Sequence, residues 1–197
     1  RHFDQQLEDI QVVQNDLIDF IRSSGIATAE SYKRRLSTEA TNGMLVSKMS
    51  ALSYVGGIHL FDDEGRLINT PAAGPVPAVN VAVRPYFRAF KFAPASPEMI
   101  VEPLYSRITG IWTTVIARKV VGTNGEFIGI VGRGIESDLF EKFFATVALA
   151  PGSAIAMHHR NGTLLARHPH LPEMIGKNFK SGPAVQQRVF EQPSSAS

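Results

Sequence analysis

The sequence predicts an α+β chain in which a long amino-terminal helix leads into antiparallel-sheet modules in tandem, the second of them incomplete. Three observations predict it. Apolar residues near the amino terminus fall at helical steps, the apolar period changes to two after Tyr54, and the first hairpin signal is echoed later in the chain.

The helical tract runs from Phe3 to about Met49. Phe3, Leu7, Ile10, Leu17 and Ile21 alternate steps of three and four, with Gln14 interrupting one seam position. Such a stripe needs a partner, either the sheet of its own domain or a twin subunit. Gly25 and Gly43 mark places where the helix can bend or break, each costing roughly 1 kcal/mol.

Past Tyr54, Gly57-Ile58-His59-Leu60-Phe61 enters the turn signal Asp62-Asp63-Glu64-Gly65 and leaves through Arg66-Leu67-Ile68, the pattern of a β-hairpin. Pro71, Pro75 and Pro77 keep residues 70–79 irregular. Arg84-Pro85-Tyr86-Phe87-Arg88-Ala89-Phe90 reads as a short helix opened by proline at an early position, where the missing N–H costs nothing. Strands are predicted over 99–105, 111–121 and 126–132, the last two joined at Thr123-Asn124-Gly125. Ser137 caps an amphipathic helix to about Ala148.

Ile58, Leu60, Gly65, Leu67 and Ile68 are echoed by Ile155, Met157, Gly162, Leu164 and Leu165, an offset of 162 minus 65, or 97. That is the length of one small α/β module, so the chain begins the same module twice. About 84 residues separate Gly65 from Leu149, but 35 follow Gly162. The expected division is therefore 1–49 for the helix, 50–150 for a complete module and 151–197 for the start of a second, with the remainder expected beyond Ser197.

Composition narrows the function. With 44% hydrophobic residues, 197 residues can build a real core. Twenty basic against 18 acidic residues, a net charge of +2, give no case for nucleic acid. Residues 1–19 are acidic, whereas the stretch from His158 to Lys180 is basic and histidine-rich. Without cysteine, thiolate metal sites, thiol catalysis and disulfides are excluded. No run of about 18 apolar residues occurs, so any membrane anchor is expected in segments outside this chain.

No metalloprotease helix, nucleophile elbow or phosphate loop is present, and no enzyme and no cofactor are expected. The glycines at 129, 132 and 134 read as close packing within a strand. His158, His159, His168 and His170 invite a metal, but a turn at Asn161-Gly162 pairs 158 with 165 and leaves His168 about 10 Å too far along the ladder. Asn161-Gly162-Thr163 also matches a glycosylation acceptor and is better explained as the hairpin turn. His59, alone on a strand, reads as a packed or surface residue.

The order of these pieces resembles the double Cache sensor domains, whose modules are PAS-like. The segments that carry the resemblance are Gly57-Ile58-His59-Leu60-Phe61-Asp62, Arg84-Pro85-Tyr86-Phe87, Thr109-Gly110-Ile111-Trp112, 125–132 and 161–167. The resemblance implies the periplasmic or extracellular sensor of a bacterial inner-membrane histidine kinase, diguanylate cyclase or chemoreceptor. It further implies a homodimer through the amino-terminal helix and a small-molecule ligand in the first module, between the sheet and the loop and short helix that cover it.

On that resemblance Arg84 and Tyr86 are the first ligand-binding candidates. Arginine offers a fork of donors suited to a carboxylate, and tyrosine a wall with one polar tip. Arg88, Arg133, Ser106, Trp112 and Thr114 are further candidates, although strand alternation lets only some of them face the cleft. The amino-acid-sensing branch places carboxylates where this chain has Leu104, Ser106 and Gly134. The expected ligand is therefore an organic anion. The competing readings are a dimerising or spacer domain without a ligand and, more remotely, a hydrolase with dispersed residues.

Overall fold

A computed structural model describes residues 2–50, 57–93, 95–147 and 152–180, with side chains of the first helix described from residue 12. The expected helical tract is three helices rather than one: α1 (His2–Ser23), α2 (Ala29–Leu36) and α3 (Glu39–Ser50). The seam positions Phe3, Leu7 and Ile10 lie outside the described side chains.

The first break is at Gly25, whose φ of +68° ends α1. Thr28 then opens α2 with a reciprocal capping box to Ser31. The second break falls at 37–38 and not at Gly43, which sits inside α3. There Asn69 donates to the Leu36 carbonyl, which the ended helix leaves open, and to that of Thr38, and the Thr38 hydroxyl accepts the N–H of Thr41.

A five-stranded antiparallel sheet follows, built from β1 (Ile58–Asp62), β2 (Leu67–Asn69), β3 (Met99–Tyr105), β4 (Trp112–Val121) and β5 (Phe127–Glu136) in the order β2-β1-β5-β4-β3. β5 runs four residues further than its sequence pattern indicates and carries Arg133, Gly134 and Glu136 into the sheet. Between β2 and β3 lies the short helix α4 (Pro85–Phe92). After β5 come α5 (Ser137–Val147) and a separate two-stranded hairpin, β6 (Ile155–His158) and β7 (Leu164–His168). The Ser137 hydroxyl, expected as a helix cap, instead donates to the Trp112 carbonyl. Residues 181–197 of the expected second module lie outside the described residues.

Both faces of the sheet are covered, so its central strands are buried almost throughout. On one face Leu17, Ile18 and Ile21 of α1 and Tyr32 and Leu36 of α2 pack on Ile58, Leu60 and Val131. Burying a side chain of this size is worth about 1.5–3 kcal/mol. Gln14 joins this face instead of interrupting it. It is fully buried and its amide donates to the carbonyls of Ile116 and Val131, so one side chain pins α1 to two strands. Gly129 is required beneath α2, because a Cβ there would press into the Tyr32 ring, whose hydroxyl donates to Ile130 O at 3.1 Å.

On the opposite face Tyr86, Phe87 and Phe90 of α4 pack on Phe61, Ala117 and Ile130. α4 and the proline loop form a roof over this face. The cleft lies under it.

Candidate functional site

The cleft opens between the roof and the strand face that carries His59, Phe61, Val115 and Gly132. About 50 Å³ of it is open to the centres of water-sized spheres. Since one water needs roughly 10–15 Å³ by that measure, the space suits a molecule of a few heavy atoms.

Arg84 occupies the N-cap position of α4 but makes no side-chain cap bond. The cap comes from β3, where a Glu102 carboxylate oxygen accepts the Tyr86 N–H at 3.3 Å. Arg84 is thereby released from local duty, and its Nη2 donates to the Tyr105 carbonyl at 2.8 Å. Burial raises the Glu102 carboxyl above the usual carboxylate range, while the Tyr86 N–H, Arg84 and His159 pull it back. Burial also holds the Tyr86 phenol well above its ordinary range, so it stays protonated and able to donate.

Three further ionisable groups line the cleft: Arg107, Glu136 and His59. Arg107 donates from Nη1 to Asn80 O at 3.1 Å. His59 faces Thr70, with Nδ1 and Oγ1 2.9 Å apart, and burial lowers its pKa to about 4, so it is neutral at pH 7. Neither Arg84 nor Arg107 forms an ion pair within 4 Å among the described residues. Two guanidiniums and the one carboxylate of Glu136 line the cleft, and the Glu102 carboxyl interacts electrostatically with Arg84 beside it.

Of the residues singled out from sequence, Arg84, Tyr86 and Ser106 line this cleft. The Ser106 oxygen accepts the N–H groups of Ile108 and Thr109, which shapes the turn after β3. Arg88 is on the exposed side of α4. Arg133 belongs to the cleft wall, but its register partners are Ile58 and Ile116, so its side chain leaves the sheet on the helix-covered face, where it is fully buried. Trp112 and Thr114 share the face of Ile116, whose cluster contains Phe140, Phe144 and Ala166, and they turn away from the ligand space. Thr113, between them, faces the cleft and was not singled out. Glu136 and His59 were missed for the same reason: a strand's alternation shows that two faces exist, but not which one is roofed. Arg107 was missed because it lies in the turn after β3, where no period indicates what it reaches.

The second hairpin repeats the first in detail. Gly65 and Gly162 both take positive φ, +81° and +92°. Asn80 donates to Glu64 O and accepts the Ala82 N–H; Asn178 donates to Asn161 O and accepts the Lys180 N–H. From 178 minus 80 the offset here is 98, the second loop being one residue longer. The register expected at this turn holds at Met157 opposite Ala166 and slips by one at His158, which faces Leu164; His168 lies opposite Ile155.

Comparison with known proteins agrees with this architecture. A family model of the dCache_1-like type, described as a histidine kinase sensor domain, matches residues 137–195. The extracellular domain of the putative histidine kinase rpHK1S-Z16 superposes with a TM-score of 0.70 at 27% identity, over 90% of this chain and 68% of that one. The chain is thus similar to the double Cache sensor domains. Two further structures share the fold at lower identity. An extracellular ligand binding receptor from Desulfohalobium retbaense is 17% identical with a TM-score of 0.57, over 88% of this chain; the chain spans 32% of that receptor. The Pseudomonas fluorescens chemoreceptor CtaA ligand-binding domain, solved with L-serine, is 21% identical with a TM-score of 0.50, over 90% of this chain and 73% of that one. No curated protein matches the sequence. The domains it matches are extracellular or ligand-binding sensor domains and not catalytic units. No helix among the described residues is long and apolar enough to cross a membrane.

Proposed function

We propose that the cleft under α4 binds a small carboxylate, held by Arg84, and that the domain passes its occupancy to a cytoplasmic output such as a histidine kinase or diguanylate cyclase. The observation that carries the reading is the pair Arg84 and Arg107 lining a roofed, few-atom cleft, neither in an ion pair within 4 Å among the described residues. A buried anion needs paired cations, and here the cations are in place before the ligand arrives. The protonated Tyr86 phenol and the neutral His59 ring add hydrogen-bonding capacity without changing the charge.

One observation favours a second reading. Glu136 lines the same cleft, and a carboxylate opposite two guanidiniums suits an amino acid, whose ammonium and carboxylate would divide between them. Among the side chains that line the space two guanidiniums face one carboxylate, which places the simple carboxylate first.

Calorimetric titration with acetate, pyruvate, succinate, L-alanine and L-serine separates the two. Binding of carboxylates with little response to the amino acids is the expected result; amino acids bound in preference to every carboxylate would overturn it. Arg84→Ala is expected to weaken binding roughly 10- to 100-fold, the value of a charge-assisted hydrogen-bonded pair, with the melting temperature little changed.

A homodimer through α1 belongs to the same proposal. Leu17, Ile18 and Ile21 face the domain's own core, while Val12 and Phe20 are 53% and 43% exposed on the rest of the helix. Transmission then requires the ligand to bind two arrangements of the dimer unequally.

A further inference from the structure

Trp112 is among the ligand candidates by sequence, yet the fold seats it at the junction between the two hairpin units. It opens β4 directly opposite Tyr105, the last residue of β3. The two rings meet edge to face, with centroids 6.2 Å apart and planes at 81°. Beyond the indole lies Gly176, in the loop that follows β7. Its φ is +82°, and a Cβ at 176 would overlap the Trp112 ring, so the indole rests directly on backbone. Gly176 is in turn tied to the second hairpin, its N–H donating to Leu164 O at 2.8 Å.

Tyr105 also supplies the carbonyl that accepts from Arg84. β3 is the edge strand, bonded to β4 alone, and Tyr105 lies at its end with its ring 53% exposed. The stack on Trp112 therefore helps set where that carbonyl stands. Contacts run unbroken from the Arg84 guanidinium through the Tyr105 carbonyl and ring and the Trp112 indole to Gly176.

We propose that Tyr105 and Trp112 are positioning residues of the ligand site, tying Arg84 to the second hairpin at Gly176, so that filling the cleft and moving the hairpin are linked events. The inference rests on Arg84 being a ligand contact, as proposed above. By linkage, what the ligand does to the junction the junction must do to ligand affinity. Contiguity by itself is not coupling, so the test has to measure coupling.

Trp112 is the single tryptophan of the chain, so its emission reads the junction directly. The whole chain is titrated with acetate, pyruvate, succinate and L-alanine, by calorimetry and by fluorescence in parallel. Each compound that binds is expected to shift Trp112 emission, although Trp112 does not line the cleft. Tyr105→Ala, at an exposed ring whose removal leaves the core intact, is expected to weaken binding about three- to tenfold and blunt the emission change, with Tyr105→Phe restoring both. Binding without an emission change, together with normal affinity in Tyr105→Ala, would overturn the inference and leave the ligand site standing.

If none of the compounds binds, the carboxylate reading fails and a ligand-free measurement decides the positioning claim. Amide exchange over 85–92 is expected to rise roughly threefold or more in Tyr105→Ala, with residues 29–36 on the opposite face unchanged. Equal exchange over 85–92 in the variant and the parent chain would overturn it.

Discussion

At the β1–β2 turn the Gly65 N–H donates to Asp62 O, and Asn80 returns from the proline loop to close the turn. At the β6–β7 turn the Gly162 N–H donates to His159 O, and Asn178 closes in the same way. The hydrogen-bond frames coincide; the side chains hung on them do not. Asp62 is fully buried, accepts the N–H groups of Glu64 and Arg66 on one oxygen, and faces Lys33 of α2 and Arg66 with the other. His159 takes its place with one long contact to the Asn161 N–H. At the position of His59 in the cleft wall the second hairpin has Ala156, and at that of Phe61 it has His158, edge to face with Phe179. The two hairpins share the turn, whose geometry tolerates few residues, and differ in the wall. The ligand-facing chemistry is thus a property of the first unit alone among the described residues.

Substituting the two glycines tests the shared frame, with the largest expected effects. Alanine at 65 would combine strain at positive φ with a Cβ 2.7 Å from the Ala82 nitrogen; at 162 the nearest atoms are Lys180 Cβ and N, at 2.7 and 2.8 Å. Each change is expected to cost about 2–4 kcal/mol in urea denaturation, with Gly65→Ala the more damaging because its turn belongs to the five-stranded sheet. The reverse order would break the comparison.

Asp62→Ala sharpens the contrast between the closures. It strips two backbone donors of their acceptor and is expected to destabilise by roughly 2–3 kcal/mol, against less than about 1 kcal/mol for His159→Ala. Lys33 and Arg66 add little to that figure, being half exposed.

Acid sharpens it further. His59 titrates near 6.5 in the unfolded chain and near 4 in the fold, because burial disfavours the imidazolium. The unfolded state therefore binds the proton first, so this stability is complete above about pH 6.5 and is lost as the pH falls toward 4. The loss is of order 1–3 kcal/mol, and His59→Gln should remove that part of the pH dependence of the urea midpoint. Ala156 offers the second hairpin no such response. The smallest effects are expected at Asn80→Ala and Asn178→Ala, about 1 kcal/mol each and similar to one another, read from melting or, for the second hairpin, local amide exchange.

Much of this fold is legible in local pattern. The hairpins, the proline-opened α4, the three long strands and α5 follow from period, turn residues and caps, which act over a few residues. The repeat is legible through its apolar positions and glycines, but Asn80 and Asn178 are not, because each is set by the partner turn it reaches. The breaks that make three helices of one tract were available in Gly25 and in the Thr28–Ser31 capping box; the carbonyl that Asn69 takes from the end of α2 was not.

What the sequence by itself determined is an α+β sensor with a repeated hairpin and an arginine at the head of a covering helix. Tertiary structure alone decided the content of the cleft. It turned Arg133 onto the helix face and Trp112 onto Gly176, brought Arg107, Glu136 and His59 under the roof, and made Gln14 a tether instead of a gap. The physical reason is that secondary structure is specified by periods along the chain, whereas the face a strand residue serves depends on register with strands up to about 75 residues away, as between Ile58 and Arg133, and on which element covers that face.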